Sequence, residues 1–127
     1  MVLEAVYASF DTAVENRIAL HLGPPGPLLA PLLTPLLTWQ VRPRLGFGTD
    51  ALRPAARVSG LHMPLLIIGG DADLHATLAE TKLIYANANE PKELWIIAGA
   101  HHQDFYRREG GRYEQRVLDF LEARLRG

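Results

Sequence analysis

The chain has 127 residues, of which 48% are hydrophobic and 21% are charged, and these values predict one small globular domain over residues 1–127. Thirteen Lys and Arg against 14 Asp and Glu leave no positive excess for nucleic acid, and the lack of cysteine excludes disulfides and thiolate metal sites. The chain begins without a signal-peptide pattern and contains no long uninterrupted apolar run, so we expect a cytoplasmic protein without a membrane span.

The opening residues predict a strand followed by a helix. Val2–Tyr7 is apolar apart from Glu4 and contains valine and tyrosine, which favours a strand. Asp11 is the expected N-cap of a helix over residues 12–20, and Gly23 with the proline after it ends that helix.

A proline-rich segment follows, with seven of the nine prolines between Pro24 and Pro54, and it cannot form one regular helix. Within it, Gly26–Trp39 combines leucine pairs with prolines, which predicts kinked helical turns. We interpret residues 12–60 as a lid-like helical insertion whose leucines cover an apolar surface. A helix that binds a membrane surface or a partner protein is the alternative, but Gly26–Trp39 carries no charge, unlike such helices.

The second half of the chain alternates strands with helices. Pro64–Gly70 and Glu93–Gly99 are apolar runs that end in glycine, which is typical of strands buried on both faces of a parallel sheet. Helical spacing of apolar residues follows each run, in Thr77–Asn89 and in Tyr113–Leu125. This order predicts an α/β fold, with a short parallel sheet of about three strands flanked by helices.

Polar residues suited to chemistry follow the predicted strands. They are Ser9 and Asp11 after the first strand, Asp71 and Asp73 after the second, and His101, His102 and Asp104 after the third. Because parallel strands point the same way, the loops that follow them meet at one edge of the sheet. A carboxylate that fixes the tautomer of an imidazole makes the imidazole a general base, so the pattern predicts an acid–histidine pair.

Two of these segments resemble the α/β-hydrolase superfamily of serine hydrolases, in its esterase, dienelactone-hydrolase-like and peptidase-like branches. Leu65–Asp73 is similar to the family's penultimate strand and Gly-x-x-Asp turn, which implies that Asp73 is the triad acid. Pro91–His102 is similar to the last strand and the Gly-x-Gly-His turn, which implies that His102 is the triad histidine. His101 stands where the family usually has glycine. The resemblance covers most of the chain and implies a hydrolase that needs no cofactor.

The family's nucleophile elbow, Gly-x-Ser-x-Gly, is absent from this sequence. Val2–Tyr7 resembles the strand that follows the elbow strand and its helix, so the chain resembles a truncated fold, its carboxyl-terminal half. The sequence has two serines, and Ser9 is expected at the same sheet edge as Asp73 and His102, whereas Ser59 precedes a strand at the opposite edge. Ser9 is therefore the candidate nucleophile, with a turn or helix-capping hydroxyl as the alternative.

Two functions remain open from the sequence. In a minimal esterase, His102 is the general base, Asp73 orients it, a hydroxyl or an activated water attacks, and the lid-like insertion binds an apolar acyl chain. In the alternative, the chain is a non-catalytic remnant or interaction module of a hydrolase fold. No His-x-x-x-His helix or matching carboxylate set appears among the histidines, so we expect no metal site.

The predicted sheet has an unpaired edge at its first strand. Unpaired backbone groups on a sheet edge are normally covered or paired. We therefore predict a homodimer in which Val2–Tyr7 meets the same strand of a second copy, with the two-fold symmetry that is commonest among soluble oligomers. The partners implied by the sequence are a small apolar ester and a second copy of the chain, without nucleic acid or membrane.

Overall fold

The structure is a computed structural model and describes residues 1–102 and 105–125; Asp104, one of the polar residues considered above, lies outside the described residues. The strands are β1 (Val2–Glu4), β2 (Leu65–Gly70) and β3 (Lys92–Ile97). The helices are α1 (Phe10–His21), α2 (Gly26–Thr38), α3 (Val41–Leu45), α4 (Pro54–Arg57), α5 (Leu78–Asn87), α6 (Phe105–Glu109) and α7 (Gly111–Leu125), with short 3₁₀ turns at Thr49–Ala51 and Val58–Gly60.

In the described part of the chain, the sheet consists of three parallel strands in the order β1–β2–β3. Every residue of the central strand β2 is buried, because strands flank it on both sides and helices cover both of its faces. Leu65 and Ile67 pack on one face with Ile84 of α5, while Leu66 and Ile68 pack on the other. The predicted α/β class with a short parallel sheet is confirmed.

The helical layer on the second face of β2 comes from the end of the chain. Phe105 of α6 is fully buried and Phe120 of α7 is 4% exposed, and both pack on Leu66 and Ile68. Of the stripe that the 3.6-residue spacing predicts, Val117 and Leu121 pack against this cluster, whereas Leu118 is 53% exposed and Phe120 takes the buried position. The packing anchors the chain on either side of the turn that follows β3.

Strand β1 is shorter than predicted. It ends at Glu4 because Ala5 adopts a φ of +48°, a left-handed conformation that costs a residue with a Cβ roughly 1–2 kcal/mol. The prediction that Val2–Tyr7 forms one strand is therefore wrong from Ala5 onward. Tyr7 lies in the loop between β1 and α1, at the carboxyl edge of the sheet.

Helix α1 begins earlier than predicted, and its N-cap is Ser9 rather than Asp11. The Ser9 hydroxyl accepts a hydrogen bond from the backbone N–H of Thr12, and the Thr12 hydroxyl accepts one from the backbone N–H of Ser9. This reciprocal capping box satisfies two donors that a helix start otherwise leaves unpaired. Asp11 lies in the first turn, where its carboxylate accepts a hydrogen bond from the Thr49 hydroxyl.

Helix α2 packs against α1 through its small residues. Gly26, Ala30 and Thr34 are buried, and a Cβ on Gly26 would lie 2.2 Å from the carbonyl oxygen of Ala19 in α1. Gly26 therefore permits the close approach of the two helices at the start of α2. The chain between β1 and β2 is mostly helical and contains α1, α2, α3 and α4. This is the segment in which the sequence predicts a lid-like helical insertion.

The leucines of α2 face away from this contact. Leu28, Leu32 and Leu36 are 77%, 71% and 62% exposed, and we call these three residues the leucine face of α2. For these three leucines the expectation that they cover an apolar surface is wrong within the described residues, because Gly26, Ala30 and Thr34 form the buried side of α2. No helix in the described ranges has both the length and the apolar character needed to cross a bilayer.

Candidate active site

The turns after β2 and β3 contact each other at the carboxyl edge of the sheet. A Cβ on Gly70 would lie 2.1 Å from the carbonyl oxygen of Ala100, so the end of β2 accepts only glycine at this position. The Asp71 carboxylate also accepts a hydrogen bond from the backbone N–H of Gly99, which has a φ of +66° and thus favours glycine. These contacts hold the two turns together and set the distance between their side chains.

Asp73 is the buried acid of the site, with 3% of the residue exposed. One carboxylate oxygen accepts hydrogen bonds from the backbone N–H groups of His75 (2.8 Å) and Ala76 (3.0 Å). The other accepts a hydrogen bond from Nδ1 of His102 at 2.9 Å. Three donors therefore compensate the carboxylate for its loss of solvent.

His102 links this acid to a tyrosine. Because Nδ1–H donates to Asp73, the lone pair of the neutral ring lies on Nε2. Nε2 is 3.4 Å from the hydroxyl oxygen of Tyr7, and that oxygen accepts a hydrogen bond from Nη2 of Arg17 at 2.9 Å. The O–H of Tyr7 is then directed to Nε2, so one hydrogen-bonded chain runs from Arg17 through Tyr7 and His102 to Asp73.

Two other imidazoles lie close to His102. The His75 ring is 5.2 Å from the His102 ring, and its Nδ1 is buried with no hydrogen-bond partner in the described regions. His101 is exposed and hydrogen-bonds through Nδ1 to the carbonyl of Ala72 at 3.0 Å. A cavity of about 220 Å³ is lined by Leu20, Leu74, His75, His101 and His102. His102 can therefore be reached from solvent beside its buried acid.

Ser9, the predicted nucleophile, is engaged at the N-terminus of α1. Its hydroxyl lies 3.1 Å from the backbone nitrogen of Thr12 and 3.3 Å from the Thr12 hydroxyl. Within the described parts of the chain, the hydroxyl that hydrogen-bonds to His102 belongs to Tyr7 instead. Ser9 and Tyr7 line the same cavity, and His102 lines a different one. The catalytic role of Ser9 stays a prediction.

Sequence reasoning missed Tyr7 and Arg17 as members of the site. The sequence predicts Tyr7 as the last residue of a strand, and the signal for a role in the site is its hydroxyl next to the predicted carboxyl edge. Arg17 lies in the second turn of α1, and its guanidinium is 5.6 Å from the centre of the Tyr7 ring. Nothing in the sequence pattern indicated that this turn of α1 faces the loop.

Glu80 ties the start of α1 to α5. Its buried carboxylate accepts hydrogen bonds from the backbone of Ala8 (3.1 Å), Thr12 Oγ1 (2.6 Å), Asn16 Nδ2 (2.8 Å), and both the backbone and the hydroxyl of Thr77 (3.0 Å each). Burial alone would raise the pKa of Glu80, but hydrogen bonds, first among them that from Thr12, lower it below its ordinary value. This carboxylate fixes the loop before α1.

Comparison with known proteins finds two relatives. The chain is 25% identical over 122 residues to "Uncharacterized protein YqkD" of Bacillus subtilis (strain 168), which covers 95% of this chain and 38% of that protein. It is 36% identical over 64 residues to "Uncharacterized protein YfhR" of Escherichia coli (strain K12), which covers 50% of this chain and 22% of that protein. The chain thus spans less than half the length of either relative. No family model and no solved structure matches it.

Proposed function

We propose that this chain is an α/β-hydrolase-like carboxylester hydrolase in which His102 is the general base and Asp73 orients it. The observation that carries the proposal is the 2.9 Å hydrogen bond between Nδ1 of His102 and a carboxylate with no exposed side-chain surface. The resemblance of Leu65–Asp73 and Pro91–His102 to two turns of that family supports the same assignment, because the two turns lie against each other.

The proposed reaction uses both nitrogens of His102. Nε2 takes the proton of the attacking hydroxyl or water as that oxygen adds to the ester carbonyl carbon. Asp73 stabilises the imidazolium that forms, and Nε2 then gives the proton to the leaving alkoxide as the ester bond breaks. The products are an alcohol and either the carboxylic acid or an acyl-enzyme that water hydrolyses in the same way.

Hydrolysis of p-nitrophenyl esters tests this assignment. We expect His102→Ala and Asp73→Asn to lower the rate by about 10²–10⁴-fold, which is the range that general bases and their orienting acids contribute. His101→Ala is the matched control, because it removes an exposed imidazole from the same turn. Equal rates for the wild type and His102→Ala, with both proteins folded by circular dichroism, would contradict the proposal.

A second function is favoured by the leucine face of α2. Leu28, Leu32 and Leu36 are each more than half exposed, and a contiguous apolar surface is typical of an interaction site. In this alternative the chain is a non-catalytic interaction module that keeps the hydrolase-like sheet and the Asp73–His102 hydrogen bond. The ester assay distinguishes the two functions, since a module would hydrolyse esters no faster than its His102→Ala variant.

For the assembly, we propose a homodimer in which β1 pairs with β1 of a second copy and continues the sheet to six strands. The Met1 carbonyl and the Ala5 N–H are bonded to β2, so the alternation along a strand points the backbone groups of Val2 and Glu4 to the free edge. Val2→Pro removes one outward N–H and keeps the pairing with β2. Light scattering at micromolar concentration should give a dimer that this variant weakens; a monomeric wild type contradicts the proposal.

A further inference from the structure

An apolar cavity lies beside the candidate site, between α1 and the chain just before α4. Its volume is about 360 Å³, and Phe10, Val14, Leu52 and Pro54 supply much of its wall. The Phe10 N–H donates to the Leu52 carbonyl at 2.8 Å, which fixes one side of the cavity to the other. Cavities of this size with few polar groups are typical of small-molecule sites.

The polar end of this cavity carries a cation. Tyr7 and Arg17 line it, and Nη2 of Arg17 donates to the Tyr7 hydroxyl at 2.9 Å. Across residues 1–102 and 105–125, Arg17 forms no ion pair with a carboxylate. A guanidinium matches the geometry of carboxylate oxygens and stabilises negative charge on them. The cavity therefore combines an apolar interior with one end suited to a carboxyl group.

The same polar end touches the proposed base. The Tyr7 hydroxyl is 3.4 Å from Nε2 of His102, so this end of the cavity is separated from the proposed base by the Tyr7 side chain alone. At roughly 30 Å³ for each atom the size of a water molecule, the cavity holds about ten non-hydrogen atoms. An acyl group of about eight carbons fills this space with its carbonyl oxygen at the polar end.

We propose that this cavity binds the acyl chain of a medium-chain carboxylic ester and retains the carboxylate product at Arg17. The inference rests on the proposed function for the role of His102, and it names the substrate class of that site. The acyl chain contacts Phe10, Val14 and Leu52, whereas the leucine face of α2 takes no part in binding it. Arg17 is the residue that recognises the carboxyl oxygens.

Binding of straight-chain carboxylates tests the cavity without any turnover. By NMR titration or calorimetry, octanoate should bind at least a hundredfold more tightly than acetate, since each buried methylene contributes about fourfold. Arg17→Gln should weaken octanoate binding by up to about fivefold, because it removes an exposed charged donor. Arg57→Gln, which removes an exposed arginine of α4, is the charge-matched control and should bind octanoate as the wild type does.

A second variant separates the interior of the cavity from its charged end. Val14→Phe fills the cavity, so we expect it to abolish octanoate binding while thermal unfolding shows a folded protein. Equal affinities for octanoate and acetate, or equal losses in Arg17→Gln and Arg57→Gln, would overturn the proposal. These measurements test binding and not turnover, so they test the cavity separately from the hydrolase assignment. If octanoate binds but ester turnover does not depend on His102, the hydrolase assignment is refuted and the binding proposal stands.

Discussion

Replacing Glu80 by glutamine should strongly destabilise this protein. In Glu80→Gln, an NH₂ group takes the place of one carboxylate oxygen and cannot accept the hydrogen bonds made to that oxygen. The less costly orientation replaces the oxygen that faces the Ala8 N–H (3.1 Å) and Thr12 Oγ1 (2.6 Å). The Thr12 hydroxyl can donate instead to the Ser9 carbonyl at 2.9 Å, so the Ala8 N–H is the donor that loses its acceptor. At about 1.5–3 kcal/mol for a hydrogen bond to a charged group, the free energy of unfolding should fall by about that amount.

Urea unfolding at neutral pH measures this loss, and Glu15→Gln is the matched control. Glu15 lies in α1, and its carboxylate makes no hydrogen bond or ion pair within the described residues. The control should change the free energy of unfolding by less than about 0.5 kcal/mol. A loss below about 1 kcal/mol in Glu80→Gln would refute the hydrogen-bond accounting.

The pH dependence gives a second test of the same carboxylate. The pKa of Glu80 is lower in the folded protein than its ordinary value, so its ionised form is stabilised by folding. This contribution is present above the ordinary pKa of about 4.3 and is lost as the pH falls through the lower folded value. The stability difference between wild type and Glu80→Gln should therefore shrink in acid. A difference that stays constant from neutral pH to about pH 3 would contradict this reasoning.

Three further predictions concern the turns and the terminal helix. Ser9→Ala should lower the free energy of unfolding by about 1 kcal/mol through loss of the helix cap, and full ester hydrolysis by this variant would refute the predicted nucleophilic role. Gly70→Ala should displace the turn at Ala100 and lower the free energy of unfolding by about 1–3 kcal/mol. It should also reduce ester turnover more than variants elsewhere in the chain that lose the same stability. Burial, with the hydrogen bond and charge of Glu4, raises the pKa of Tyr113 to about 12, so an ultraviolet titration should lose its last phase in Tyr113→Phe and shift it to lower pH in Glu4→Gln.

The sheet and the central contact of the candidate site could be predicted from the sequence. β2 is a continuous apolar run, and it forms a strand that is buried along its whole length. β3 forms where predicted, but it begins with Lys92 and Glu93 and lies at an edge of the sheet, so only Ile97 is buried and the prediction of burial on both faces is wrong for this strand. Parallel strands deliver their following loops to one edge, so the order of elements placed the acid after β2 near the histidine after β3. The Asp73–His102 hydrogen bond agrees with that placement.

The role of each residue around that contact depended on tertiary packing. The sequence of a leucine-rich helix does not indicate which of its sides is buried. In α2 the small residues Gly26, Ala30 and Thr34 are buried, and the leucine face is therefore exposed. A serine before a predicted helix is compatible both with a nucleophile and with a helix cap. In the structure, the Ser9 hydroxyl accepts a hydrogen bond from the backbone of Thr12 and caps α1. Propensity cannot decide such cases, because the competing arrangements use the same local sequence.

The sequence by itself determined the α/β class, the buried central strand and the meeting of an acid with a histidine at one sheet edge, because these follow from hydrophobic runs and strand direction. The resemblance to the hydrolase family implied that the pair is Asp73 and His102. The tertiary structure decided that Tyr7 and Arg17 join them. Ala5 ends β1 in a left-handed conformation, which an alanine in the sequence does not predict. Glu80 then holds the following loop against α5. The position of Tyr7 beside His102 is thus set by contacts between residues distant in the chain, which no local pattern encodes.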